Sequence, residues 1–190
     1  LEALDEVTPT AELSNFTGGF TLIMVADLVR WKRHGLFLDP FARILNDVPE
    51  ARAVVVGRSV AGESPAYLRE LRDDLRARGI EDAVMFVHDC ENAVPWIAAA
   101  DLLVHTAANE PFGRVLVESL AVGTPVVATN EGGAAEVLVG APAAGALVPP
   151  EPDAIARAVM ERRCPVNRLA VYAEARRCAA RYDVKTVAPQ

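Results

Sequence analysis

The chain has 190 residues, 52% hydrophobic, 24% charged and 6% aromatic, with a formal net charge of −7 at pH 7. This composition excludes a disordered or fibrous polypeptide, and the acidic balance argues against nucleic-acid binding by bulk electrostatics. No apolar run approaches the roughly 20 residues that a membrane-spanning helix needs, so no transmembrane segment is expected.

The length suits one domain able to bury a core without staples or metals. Three cysteines (Cys90, Cys164 and Cys178) form an odd set with neither CxxC nor zinc-ligand spacing. That usage fits a reducing compartment, and a cytoplasmic location is expected. The chain begins at Leu1 rather than Met and shows no signal peptide, which predicts a gene product that starts upstream.

In chain order, the polar opening "LEALDEVTPTAELSN" assigns residues 1–18 to a linker or mobile end, and residues 19–190 to the domain. "TLIMVAD" predicts a first strand over 21–27, and "GLFLDPFARILND" a covering helix that buries Leu36, Phe37, Phe41, Ile44 and Leu45. "RAVVVG" predicts a strand over 52–57. "AYLRELRDDLRARG" follows as a helix that buries Leu68, Leu71 and Leu75 and stops at Gly79. Further strands are expected over 83–87, 101–105, 125–129 and 145–149, all apolar on both faces as buried parallel strands are. Two closing helices are expected over 152–163 and about 166–182, with Pro165 at the break between them.

Six strands alternating with helices define an α/β fold: a doubly wound, Rossmann-like parallel six-stranded sheet. Ligands of such sheets bind beyond the carboxyl ends of the strands. The loops to inspect therefore begin near Asp27, Gly57, His88, Thr106 and Asn130.

One of these loops opens "ANEPFGRVLVESLAVGTPVVATNEGGAAE", residues 108–136. A helix is expected from about Phe112. Val115, Leu116, Val117, Leu120, Ala121 and Val122 surround its axis, which predicts a buried helix. A lone buried carboxylate is costly, so Glu118 needs Arg114, one turn away, or a ligand as its partner. Glu110 lies just before the helix, where free amides and the positive end of the helix dipole receive anions. Two acceptor-only carboxylates around such a start suit a ligand rich in hydroxyl donors and carrying phosphate.

This segment resembles the retaining glycosyltransferases of family 4, which have the GT-B fold, and specifically their C-terminal, donor-binding domain. "EPFGRVLVE" carries that family's two glutamates with seven residues between them, followed by "AVGTPVVAT" and "EGGAAEVL" in the expected order. The resemblance covers roughly residues 19–182. It implies that Glu110 binds hydroxyls of the donor sugar, and that the backbone at Phe112, Gly113 and Arg114 approaches sugar and phosphate. Glu118 would hold the two ribose hydroxyls. Gly132 and Gly133 would let the chain pass close to the sugar or to the opposing domain. The loops at Gly57–Ser59, with Arg58, and at His88–Cys90 would border the nucleobase.

The family usually carries a Gly-Arg pair after its first strand and a Lys several residues later, the two cations neutralising the diphosphate. Here "ADLVRWKRH" keeps Lys32 but places Ala26 and Asp27 at the Gly and Arg positions, and a carboxylate there repels a diphosphate. Arg30, Arg33 and Arg58 are each candidates for the substitute cation, and the sequence does not choose among them.

Other chemistry is thin. "GRSVAG" fits neither GxGxxG nor GxxxxGK[ST], Asp73 and Asp74 sit on a surface helix rather than in a DxD loop, and His34, His88 and His105 lack metal-ligand spacing. The resemblance implies hexosyl transfer from a nucleotide-diphosphate sugar with retention, Glu110 and Lys32 acting at the reacting centre and no metal or other cofactor. It also implies a partner, the acceptor-binding N-terminal domain of the same protein, absent from this chain. The expected location is cytoplasmic, either free or, through that domain, peripheral at the inner membrane face. Two rival readings stay open: a noncatalytic nucleotide-sugar-binding or partner domain, and a GT-B sugar-nucleotide epimerase.

Overall fold

The computed structural model describes residues 16, 19–88, 90–163 and 168–182. The expected N-terminal linker, Cys164, Pro165 and the start of the last helix lie almost wholly outside the described residues.

Six strands, β1 (Thr21–Val25), β2 (Arg52–Gly57), β3 (Val84–His88), β4 (Leu102–His105), β5 (Val126–Thr129) and β6 (Gly145–Val148), form one sheet in the order β3-β2-β1-β4-β5-β6. Every neighbouring pair is parallel. The order reverses between β1 and β4, which makes their carboxyl ends the topological switch point of a doubly wound sheet. The expected Rossmann-like fold is therefore present.

The strands are buried because alternate side chains leave toward opposite faces, and helices cover both. On one face Leu22, Met24, Val55 and Val104 meet Phe37, Phe41 and Ile44 of α1 (His34–Asp47), Leu71 and Leu75 of α2 (Ser64–Ala77), and Ile155 and Val159 of α6 (Pro152–Arg162). On the other, Ile23, Val54, Leu103 and Val126 meet α3 (Val94–Ala99), α4 (Arg114–Ala121), α5 (Ala134–Leu138) and α7 (Arg168–Ala180). Among the described residues no helix is long and apolar enough to cross a membrane.

The sequence reading needs correction at several places. β1 ends at Val25 rather than Asp27, so Ala26 and Asp27 begin the loop. The short helices α3 and α5 were not expected. α4 starts at Arg114, after Gly113 at φ +80°, and is not buried all round: Leu116, Ser119, Leu120 and Ala121 face the core, while Val115, Val117 and Val122 are half-buried. Its outer side turns toward the carboxyl edge of the sheet. Asp73 and Asp74 lie on α2 as expected, paired with Arg76 at 3.1 Å and with Arg78 at 2.9 Å.

Two histidines lie within this framework. His34 begins α1 with its ring edge-on to Tyr67, and His105 ends β4, both buried; burial pushes each pKa down to about 4. The ring nitrogens of His34, and Nε2 of His105, have no hydrogen-bond partner among the described residues. The unfolded chain thus takes up protons near pH 6.5 that the folded chain refuses until about pH 4, and stability falls as pH drops through that window. At pH 5 the loss is roughly 2 kcal/mol for each histidine. Urea midpoints at pH 7 and pH 5 check this, and equal stability at the two would contradict it.

Candidate functional site at the carboxyl edge of the sheet

A cleft of about 700 Å³ opens at the carboxyl ends of the strands. Its walls come from the loop after β1 (Ala26, Asp27, Lys32), the end of β2 (Gly57, Arg58), the segment 90–94 after β3, Glu110 after β4, and the first turns of α4 (Gly113, Arg114, Val115, Glu118).

Lys32 is placed by a 3-10 turn, Arg30–Lys32, followed by Arg33 in the left-handed region at φ 54°. A non-glycine residue is strained there and needs external bonds to stay. Arg33 has them: its Nε donates to the Thr106 carbonyl at 2.9 Å and its guanidinium pairs with Glu131. The Thr106 hydroxyl donates to the Lys32 carbonyl at 3.0 Å, and the Ala108 amide donates to the Trp31 carbonyl at 2.9 Å. The loop after β1 is thus laced to the loop after β4, 70 or so residues away in sequence.

This lacing brings Lys32 Nζ onto the Glu110 carboxylate, with the two side chains only 14% and 17% exposed. Lys32 Nζ also lies 3.9 Å from the centre of the Trp31 ring. Glu110 follows Asn109, whose φ of 52° suits an asparagine. The Glu110 carbonyl accepts the Gly133 amide at 2.7 Å. Gly132, at φ +64°, packs on the same loop: a Cβ there would overlap the Glu110 carbonyl oxygen and stand 2.7 Å from its nitrogen. A Cβ on Gly133 would meet the Pro111 carbonyl oxygen at 2.5 Å. The close approach that requires these glycines is therefore to residues 109–112 of their own chain, where sugar or an opposing domain was expected.

Glu118 projects from α4 into the cleft, its side chain 31% exposed, and accepts Arg114 Nε at 3.1 Å. The expected pair exists. Burial raises the Glu118 pKa above the ordinary carboxylate range, with Arg114 pulling it partly back. Asp27, the unexpected carboxylate, meets Arg58 in a bidentate pair, Nε to Oδ1 and Nη2 to Oδ2, both at 3.1 Å. Its pKa is lowered, first by those bonds and further by the charge of Lys32.

Lys32, Glu110, Gly113, Arg114, Glu118, Gly57 and Arg58 therefore converge on the cleft, as the sequence reading expected. Phe112, Gly132, Gly133 and His88 do not line it. Phe112 packs edge-on against Tyr182, ring centres 5.4 Å apart, and the Tyr182 hydroxyl donates to the Glu136 carbonyl at 2.9 Å. His88, exposed at the end of β3, stacks on Phe86. Of the other candidate cations, Arg30 is engaged by Glu70 at 2.7 and 2.8 Å outside the cleft, and Arg33 by Glu131. Sequence reasoning missed residues 91–94, where Asn92 Oδ1 accepts the Val94 amide at 3.0 Å ahead of α3. The Asn-Ala-Val-Pro run was a legible helix start that went unread.

A doubly wound sheet with acidic and basic groups gathered at its switch point defines an α/β ligand-binding protein. The family follows from comparison. The model of the family "Glycosyl transferases group 1" matches residues 10–162, and the chain belongs to that family. It is 35% identical over 105 residues to the lipopolysaccharide core biosynthesis mannosyltransferase LpsB of Rhizobium meliloti, a match covering 55% of this chain and 30% of that protein. It is 33% identical to D-inositol 3-phosphate glycosyltransferase 2 of Catenulispora acidiphila, over 80% of this chain and 37% of that protein. Among solved structures, Anabaena HepE in complex with UDP superposes with a TM-score of 0.84 at 28% identity, over 97% of this chain and 52% of that one. The C-terminal domain of a group 1 glycosyl transferase, LpcC, from Francisella tularensis shares the fold, with a TM-score of 0.76 at 20% identity and coverage of 96% and 98%. The architecture is that of one half of a GT-B glycosyltransferase. The chain spans about a third of these curated relatives and about half of HepE.

Proposed function

We propose that the chain is the donor-binding half of a retaining, family 4 glycosyltransferase that moves a hexosyl group from a nucleotide-diphosphate sugar to an acceptor. The observation that carries this reading is the placement of Glu110 and Glu118 at either end of the opening turns of α4, both on one cleft, with Lys32 beside the first. Similarity to HepE, solved with UDP and with UDP-glucose, supports it.

In this reading Glu118 accepts the ribose hydroxyls, the amides at the start of α4 and Lys32 take the diphosphate, and Glu110 accepts hydroxyls of the sugar. The ion pair between Lys32 and Glu110 then has a function: on binding, phosphate replaces Glu110 as the partner of Lys32, and sugar hydroxyls replace Lys32 as the partner of Glu110. Retention without a protein nucleophile requires the leaving diphosphate to be held and the acceptor to attack from the same face. Such a site needs charge and position more than a proton-transfer residue, and no metal. The acceptor and its contacts would come from an N-terminal domain, so the 190-residue chain binds donor and turns over little or nothing. A cytoplasmic location, with or without peripheral attachment to the inner membrane face, completes the proposal.

Calorimetry with UDP, GDP, ADP and their sugar conjugates tests it. Heat of binding with one nucleotide series is expected, and no heat with any of them would overturn the reading. One observation favours binding without catalysis, namely the Asp27 carboxylate on the cleft wall. Turnover by the full-length protein separates the two, and product analysis distinguishes transfer from epimerisation.

A further inference from the structure

Three cations line the cleft among the described residues, and each meets a carboxylate: Lys32 meets Glu110, Arg114 meets Glu118, and Arg58 meets Asp27. The pairs differ in what they leave over. Lys32 is largely enclosed. Arg114 is 88% exposed and meets Glu118 through Nε. Arg58 is gripped through Nε and Nη2 by both oxygens of Asp27, which fixes the plane of its guanidinium and leaves Nη1 outside the pair. Asp27, Lys32 and Arg58 line the same cleft, and the Lys32 charge adds a little to the lowering of the Asp27 pKa. The backbone holds this corner rigid. The Leu28 amide donates to the Arg58 carbonyl at 3.1 Å and the Ala26 amide to the Val56 carbonyl at 2.9 Å, while a Cβ on Gly57 would overlap the Ala26 carbonyl oxygen.

We infer that Arg58 is the second phosphate-binding cation of the cleft, acting with Lys32, and that Asp27 is the positioning residue that presents it. This rests on the proposed function and deepens it: the loop after β2 contributes a charged side chain to the diphosphate as well as backbone to the base. Asp27 then opposes the ligand less than its charge suggests, because its field is spent on Arg58. A guanidinium locked in plane also loses less freedom on meeting phosphate than a free one.

The test compares the wild-type chain with Arg58→Ala, using the nucleoside diphosphate that calorimetry selects from UDP, GDP and ADP, and the matching nucleoside followed by ligand-observed NMR. Arg58→Ala is expected to weaken the diphosphate roughly 10- to 100-fold and to leave the nucleoside within about twofold. Arg58 is 73% exposed, so folding does not depend on it, and an unchanged melting temperature verifies this. An unchanged diphosphate affinity, or an equal loss for diphosphate and nucleoside, would overturn the inference while leaving the proposed function standing. A wild-type chain that takes none of the diphosphates would overturn the proposed function, and this inference with it.

Discussion

Gly132→Ala is expected to lower the unfolding free energy by roughly 2–5 kcal/mol and to abolish nucleotide binding. The first part of the cost is conformational, since a side chain at φ +64° meets the left-handed penalty of about 1–2 kcal/mol. The second is steric. The new methyl overlaps the Glu110 carbonyl, which is backbone and is already bonded to the Gly133 amide, so relief requires the 109–112 loop to move at about 1–3 kcal/mol. That loop carries Glu110, and its displacement also breaks the contact with Lys32. Denaturant unfolding and calorimetry on the same variant check both halves. A wild-type midpoint would mean that the loop yields freely and does not fix Glu110.

Lys32→Ala should weaken diphosphate binding roughly 10- to 100-fold, the scale of a lost hydrogen bond to a charged group. It should also destabilise the chain by about 1–3 kcal/mol, less than for a fully enclosed pair, because Glu110 is already 17% exposed with its cation in place. The two losses have different origins, and a second substitution separates them. Adding Glu110→Gln removes the stranded charge, so the double variant regains stability but not affinity. If stability and affinity return together, Lys32 acts through folding rather than by touching phosphate.

The sheet was legible because its strands are buried on both faces and read as short continuous apolar runs, "RAVVVG" and "PVVAT" among them. Their ends were less so: hydropathy carries on through Ala26, whereas the strand ends at Val25 and only the Ala26 amide reaches on to the Val56 carbonyl. α3 and α5, six and five residues long, are too short for a helical period to register. α4 read as wholly buried because valine is apolar wherever it points. Half-burial of Val115 follows from the open cleft beside it, a property of the fold and not of the segment.

The site divides in the same way. Glu110 and Glu118 were readable from their positions around one helix start, and Arg114 from its place one turn before Glu118. The contact of Lys32 with Glu110 joins residues 78 apart, and that of Asp27 with Arg58 joins residues 31 apart. Pairings of that kind are set by strand order, so periodicity could not single out Arg58 from Arg30 and Arg33. The glycine pair was read as a close approach to sugar or an opposing domain; the neighbour that the fold brings to it, the 109–112 loop, is specified only by where β4 and β5 end side by side.

A crystal structure of this chain with the nucleoside diphosphate sugar it binds tests the central claim most directly. The account predicts Glu118 oxygens within hydrogen-bond distance of the ribose 2′ and 3′ hydroxyls, and Glu110 turned from Lys32 onto the sugar. A ligand bound away from the start of α4, or seated there with either glutamate still engaged only by its own cation, would contradict it.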